Sequence, residues 1–339
     1  MLSRVANCLY WMSRSIERAE NTARLVDTNI QLLLDLRNLN EQRLAEHWLP
    51  IVQATGDEAA FFQLHPKATA AAVTEFLVFQ PENPNSLVQS ICQARENARM
   101  VRDQITFELW EELNRLYLFV RSPRARDLWR SSPSEFFQEI KASSLHLIGI
   151  TYATLLRNEG WYFLQVGRFL ERADKTSRIL DVRYQSLPER GAPAAISQED
   201  ALEWSAILRS CSALDSYKAL YGADVHPKLV AEYLILNGDF SRSILFSVNL
   251  LDQYLRRISE APEGRFSNNA ERLAGRLVAE LRFSTIDEIF DQGLHTYLDV
   301  LQQKLNDIGN ALFQTYIFQS FHSLEEEILV QQEEQQQQS

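Results

Sequence analysis

The sequence predicts an all-α protein, a single large multi-helix bundle that carries an internal helix repeat. Three observations predict it. Apolar residues recur at steps of three and four along extended segments, and no strong strand-like alternation stands out. Only 11 Gly and 10 Pro punctuate the chain, clustered between those segments. Residues 14–27 also align on residues 168–181 without a gap, at an offset of 154. Arg14/Arg168, Glu17/Glu171, Arg18/Arg172, Ala19/Ala173, Thr22/Thr176, Arg24/Arg178 and Asp27/Asp181 are identical pairs. A repeat that keeps its charges as well as its apolar residues implies a specific job for those charges.

Each element follows from its period and its punctuation. Leu9, Met12, Ile16, Ala19, Ala23, Val26 and Ile30 form one stripe, predicting a first helix from about Val5 to Leu39. The turn-rich Gln80–Ser86 supplies a stop and an N-cap for a second helix over Leu87–Leu118. Pro133 just inside Ser132 opens another, and Phe136–Arg157 and Trp161–Ser186 read as a pair joined near Asn158-Glu159-Gly160. Leu187 to Pro193 is the clearest linker, followed by a capping box formed by Ser197 and Asp200. Further helices are expected at about 198–220, 227–236, 240–258, 268–283 and 286–322, and a disordered polar tail at 331–339. The linker permits a subdivision near 187–196. The repeated helices open and close the first half, however, which favours one continuous bundle over 1–330.

Composition bounds the function. The net charge of −11 argues against nucleic acid or an anionic membrane as main partner, since both need a basic face. Arg outnumbers Lys 28 to 6. Arginine makes fixed bidentate contacts to carboxylate or phosphate, although a compositional bias explains the count equally well. Cys8, Cys92 and Cys211 are scattered and odd in number, which fits buried thiols in a reducing compartment. The first residues lack a secretory h-region and no segment is long enough to span a bilayer, so a cytoplasmic protein is expected.

The repeat carries the chemistry. Arg14, Glu17, Arg18 and Asn21 share one arc of their helix, and Arg168, Glu171, Arg172, Lys175 and Arg178 do so on theirs. A Glu flanked by arginines at i−3 and i+1 stays ionised. Neighbours at i and i+1 point apart, so Glu-Arg dipeptides are expected to pair between helices, Glu17 with Arg172 and Glu171 with Arg18. Ala19, Ala23, Ala173 and Ser177 permit close approach. A third segment, Arg95, Glu96, Arg99 and Arg102, is related in composition, with Glu108, Trp110 and Glu112 following. Three readings stay open: solvated charged stripes, a buried structural ion-pair network, and arginines converging on a carboxylate or phosphate.

Other chemistries find little support. None of His47, His65, His146, His226, His295 and His322 sits in a zincin or di-iron motif. Asp291 and His295 have metal-ligand spacing, but a surface pair is the better reading. Glu17, Glu20, Glu171 and Asp174 are a conceivable bundle-core metal set that the flanking arginines oppose. No nucleophile elbow, dinucleotide fingerprint or Walker loop is present. Trp11, Trp110, Trp129 and Trp161 read as core, with a wall for an organic ligand as the alternative. No cofactor and no metal are expected.

Leu2 to Asn7 with Tyr10-Trp11, Glu17 to Arg24, Arg95 to Arg99 with Glu108 to Glu111, Gly167 to Thr176, and Ser241 to Ser247 together closely resemble the bacterial alpha-E domain family. The resemblance covers about residues 1–320. Asn7-Cys8 departs slightly from the usual Val-Ala-Glu-Asn opening. The resemblance implies an α-helical domain with a Glu-Arg motif, whose genes neighbour an ATP-grasp ligase and a transglutaminase-like protease. The implied role is that of a non-catalytic accessory or scaffold in peptide or amide synthesis or modification, working with those two partners and holding a peptide substrate. The alternative is an enzyme of the same pathway, with Glu17 and Glu171 as acid/base candidates and Arg14, Arg18, Arg168 and Arg172 holding a carboxylate or phosphate.

Overall fold

A computed structural model describes residues 1–36, 47–185, 198–262 and 264–318, and these residues contain helices and no strand. In chain order the α-helices are α1 (Ser3–Asp35), α2 (Leu49–Thr55), α3 (Glu58–Leu64), α4 (Ala70–Thr74), α5 (Leu87–Met100), α6 (Phe107–Arg121), α7 (Pro123–Ser131) and α8 (Pro133–Thr154). They continue as α9 (Glu159–Gln185), α10 (Gln198–Ser210), α11 (Leu214–Tyr221), α12 (Pro227–Leu236), α13 (Ile244–Ser259), α14 (Asn269–Phe283), α15 (Ile286–Gln292) and α16 (Leu294–Phe313). Single π-helical turns follow α4 at Glu75–Phe79 and α16 at Gln314–Phe318.

The repeated segments lie in α1 and α9, the two longest helices, which pack on each other at the centre. The register is parallel. Met1 meets Glu159, Tyr10 meets Gly167, and Glu17 meets Arg172. Equivalent residues of the repeat therefore stand at the same height, the arrangement that an offset of 154 needs for reciprocal contacts. Closest approach falls at Gly167, where a Cβ would lie 2.4 Å from the Tyr10 carbonyl oxygen. The small residues Ala19, Ala23, Ala173 and Ser177 are buried as well. Around this pair, α5, α8 and α10 pack on α1, while α2, α13 and α16 pack on α9. Helices from both sides of the 187–196 linker thus touch the same central pair, and their apolar faces join one core cluster. The linker, the Ser197 cap, the expected ends of the first and last helices and the tail at 331–339 lie outside the described residues.

Three expected helices are each divided. The run over 87–118 breaks after Met100. A short 3-10 turn follows, and the Thr106 hydroxyl accepts from the Leu109 N–H to start α6. The run over 198–220 breaks at Ser212, whose φ is 52°. Gly293, at φ 86°, separates α15 from α16, a left-handed turn that costs glycine little. Helices α2 to α4 and α7 had no strong periodic signal, because they are short. Pro50 and Pro123 occupy the first turns of α2 and α7, where a missing N–H costs nothing.

Candidate functional site

Parallel packing of α1 on α9 brings the two Glu-Arg dipeptides face to face. Arg172 grips Glu17 in a bidentate fork, Nε to Oε1 at 2.7 Å and Nη2 to Oε2 at 2.8 Å. Reciprocally, Arg18 donates from Nε to Glu171 Oε1 at 2.7 Å and from Nη2 to Oε2 at 3.2 Å. Arg14 adds an Nε bond to Glu171 Oε2 at 2.7 Å. The two carboxylates are 1% and 0% exposed, so the clasp sits in the interior. Within one helix, Glu17 and Arg18 do not pair with each other, and neither do Glu171 and Arg172.

Further side chains complete the network. Arg242, from the turn preceding α13, donates to Glu17 Oε1 at 3.2 Å, to Asn21 Oδ1 at 3.3 Å and to Glu20 Oε1 at 2.5 Å. Arg24 also donates to Glu20, and Arg178 holds Asp174. Arg18 reaches Asn85, which in turn donates to Asp57. The closing Asp of each repeat is tied outward: Asp27 accepts from Ser134 and Lys141 of α8, and Asp181 pairs with His295 and Gln302 of α16.

Electrostatics follow from this packing. Burial alone would push the Glu17 carboxyl up. Arg172 and Arg242 outweigh it and hold the group at about 2. Arg14 and Arg18 likewise overcome burial and hold Glu171 well below the usual carboxylate range. Both stay ionised at neutral pH. Their oxygens are engaged by guanidinium donors, which leaves them poorly placed to take or give a proton. The centre also carries an excess of cations. Arg14, Arg18, Arg24, Lys141, Arg168, Arg172, Lys175, Arg178 and Arg242 stand against Glu17, Glu20, Asp27, Asp57, Glu171, Asp174 and Asp181.

The remaining sequence candidates lie elsewhere. Arg95, Glu96 and Arg99 are on α5 outside the clasp, with the Glu96 side chain 50% exposed. Here Glu96 accepts from both Arg99 and its immediate neighbour Arg95, so the expectation that adjacent Arg and Glu point apart fails on an open surface, where a long guanidinium can curl round. Arg95 also lies over the rings of Trp110 and Tyr117, and Arg102 over those of Phe107 and Trp110. His295 faces Asp181 and Asp299 rather than Asp291, and these three have ligand atoms close enough for a cation. The carboxylates of Glu17, Glu20, Glu171 and Asp174 are bonded to arginines, which a metal would have to displace. Burial raises all three thiols, Cys211 to about 12, which disfavours the nucleophilic thiolate.

Sequence reasoning missed Arg242 as a member of the clasp, although the Ser241–Ser247 block had been singled out. It also missed Tyr10, Tyr152 and Asn85, single polar residues whose roles depend on tertiary placement.

Comparison with known proteins fits this architecture. The Alpha-E family, described as a predicted alpha-helical domain with a conserved ER motif, matches residues 1–317, and the chain belongs to that family. Similar chains include uncharacterized protein Mb2597 of Mycobacterium bovis and uncharacterized protein Rv2567 of Mycobacterium tuberculosis. Each is 24% identical over 336 residues, covering 93% of this chain and 37% of the relative. The chain thus spans little more than a third of the length of these curated relatives. No solved structure matches it. No described helix is long and apolar enough to cross a membrane.

Proposed function

We propose that this Alpha-E chain is a non-catalytic helical module serving an ATP-grasp ligase and a transglutaminase-like protein in peptide or amide synthesis or modification. Its Glu-Arg motif would be the clasp that keeps the module rigid. One observation carries the reading: Glu17 and Glu171 are consumed by arginines inside the protein. A general acid or base works best with a pKa near the operating pH and with access to its substrate. These carboxyls are lowered and buried, which is the behaviour of structural ion pairs. In the mycobacterial relatives the matching unit is joined to further sequence, as suits a part that works beside others.

Co-expression with the ligase and transglutaminase-like protein of the same genome tests the proposal. The tagged module is expected to retain at least one of them and to raise product formation by the ligase. Glu17→Gln and Glu171→Gln should act only through lost stability. A ligase that works fully alone and is never retained would overturn the proposal. So would a folded Glu17→Gln variant of undiminished Tm that has lost a turnover shown by the wild type.

A further inference from the structure

Arg168 breaks the symmetry of the repeat. Its equivalent, Arg14, spends its Nε on Glu171. The matching acceptor for Arg168 would be Glu17, but Arg172 and Arg242 already fill that carboxylate. Arg168 turns instead to α8 and donates from Nη2 to the Tyr152 hydroxyl at 2.6 Å. Its guanidinium lies over the rings of Tyr152 and Phe169. The residue is only 6% exposed, and its Nε is buried with no hydrogen-bond partner. Burial pushes its pKa below the usual arginine value, and repulsion from Arg172 adds to the effect. Glu17 attracts it through space but makes no hydrogen bond to it, so a buried guanidinium N–H stays unsatisfied and a carboxylate that accepts from it binds favourably.

A narrow cleft opens beside it, between α1, α6, α8 and α9. Arg168, Glu17, Gln165, Ser13 and Thr151 give its polar lining, and aliphatic side chains such as Met12, Ile16 and Leu147 give its walls. Its free volume is about 20 Å³, room for a group the size of one or two waters. We propose that Arg168 anchors an anion site that takes a single carboxylate carried on an apolar stem. The chemistry selects that class. One guanidinium with no bonded carboxylate and one free Nε–H matches one negative charge. Glu17 lines the same cleft and disfavours a dianion such as phosphate. The free space admits the carboxylate group alone, and half-buried Ile16 and Ile148 on its lining suit the first methylenes of a stem that runs outward. The cation excess of the central network, inside a chain of net charge −11, points to the same sign of ligand. The site goes beyond the accessory role proposed above and stands or falls separately from it.

The carboxylate could belong to a free short-chain acid or to a peptide C-terminus, and one titration series separates them. The full chain is titrated calorimetrically with hexanoate, with neutral hexanamide, and with a short peptide ending in leucine, as free acid and as amide. Hexanoate is expected to bind saturably and raise Tm, with hexanamide weaker by about tenfold or more, the loss of one charge-assisted hydrogen bond. Tighter binding by the free-acid peptide, lost on amidation, assigns the site to peptide termini; hexanoate binding without peptide binding assigns it to small acids. Arg168→Met should lose carboxylate affinity by the same factor while its ligand-free Tm matches or exceeds that of the wild type, which a purely structural arginine would not permit. Thr151→Met, which narrows the cleft from its half-buried rim with Arg168 intact, should weaken binding similarly and serves if Arg168→Met does not fold. No saturable carboxylate binding, equal affinity for hexanamide, or unchanged affinity in the variants would each overturn the proposal.

Discussion

Replacing Glu171 with glutamine should cost far more than replacing any surface carboxylate of the chain. Its Oε1 accepts from Arg18, and its Oε2 accepts from both Arg14 and Arg18. Whichever way the amide is turned, its NH2 faces a guanidinium donor, and two half-buried cations lose their counter-charge. Breaking a buried pair on one side typically costs about 3–5 kcal/mol. At about 2.1 cal/mol/K per residue, 339 residues give an unfolding entropy near 0.7 kcal/mol/K. The expected fall in Tm is therefore about 4–7 °C. Glu96→Gln is the control. That side chain is 50% exposed, and exposed pairs contribute about 0–1 kcal/mol, or at most about 1.5 °C. Both variants are melted by calorimetry beside the wild type, with circular dichroism confirming unchanged helicity below the transition. A Glu171→Gln variant that melts with Glu96→Gln would refute the reasoning.

Four more outcomes are expected. The Glu17 carboxyl is held at about 2 against an ordinary 4.5, and Glu171 is lowered too, so the unfolded chain binds protons first on acidification. Their contribution is full above about pH 4.5 and drains as pH falls toward 2. Urea melts down this range should show the wild type losing more stability than Glu171→Gln. His295 behaves oppositely. Its hydrogen bond to Asp181 raises its pKa above 6.5, so its contribution is full below 6.5 and is lost as pH rises through the raised value. Tm measured from about pH 6 to 8 should fall more steeply in the wild type than in His295→Gln. Gly167→Ala should destabilise by about 1–3 kcal/mol by forcing α1 off α9, because the new methyl meets backbone. Gly149→Ala, with nothing within 4 Å of its added Cβ, should stabilise by about 0.5–1 kcal/mol through helix propensity. Paired thermal melts check both.

The long helices were legible because their apolar period runs over many turns. The centre of the molecule was legible because α1 and α9 keep both charge and size at a fixed offset. Breaks at Thr106, Ser212 and Gly293 were missed, since a cap or a left-handed residue ends a helix without disturbing the apolar period on either side. Arg242 could not be placed by local reasoning. It lies outside the repeat, and only tertiary packing carries it to Glu17 and Glu20. The same packing leaves Arg168 without a hydrogen-bonded carboxylate, which no spacing in the sequence foretells. Arg95, Glu96 and Arg99 share composition with the repeat but not its neighbours, so they stay on the surface.

The central claim is that α1 and α9 lock each other through Glu17–Arg172 and Glu171–Arg18. A double-mutant cycle on Glu17→Gln and Arg172→Met, followed by urea unfolding, measures that lock directly. The account predicts that the paired variant loses less stability than the two singles together, by about 1.5 kcal/mol or more. Additivity within about 0.5 kcal/mol would contradict it.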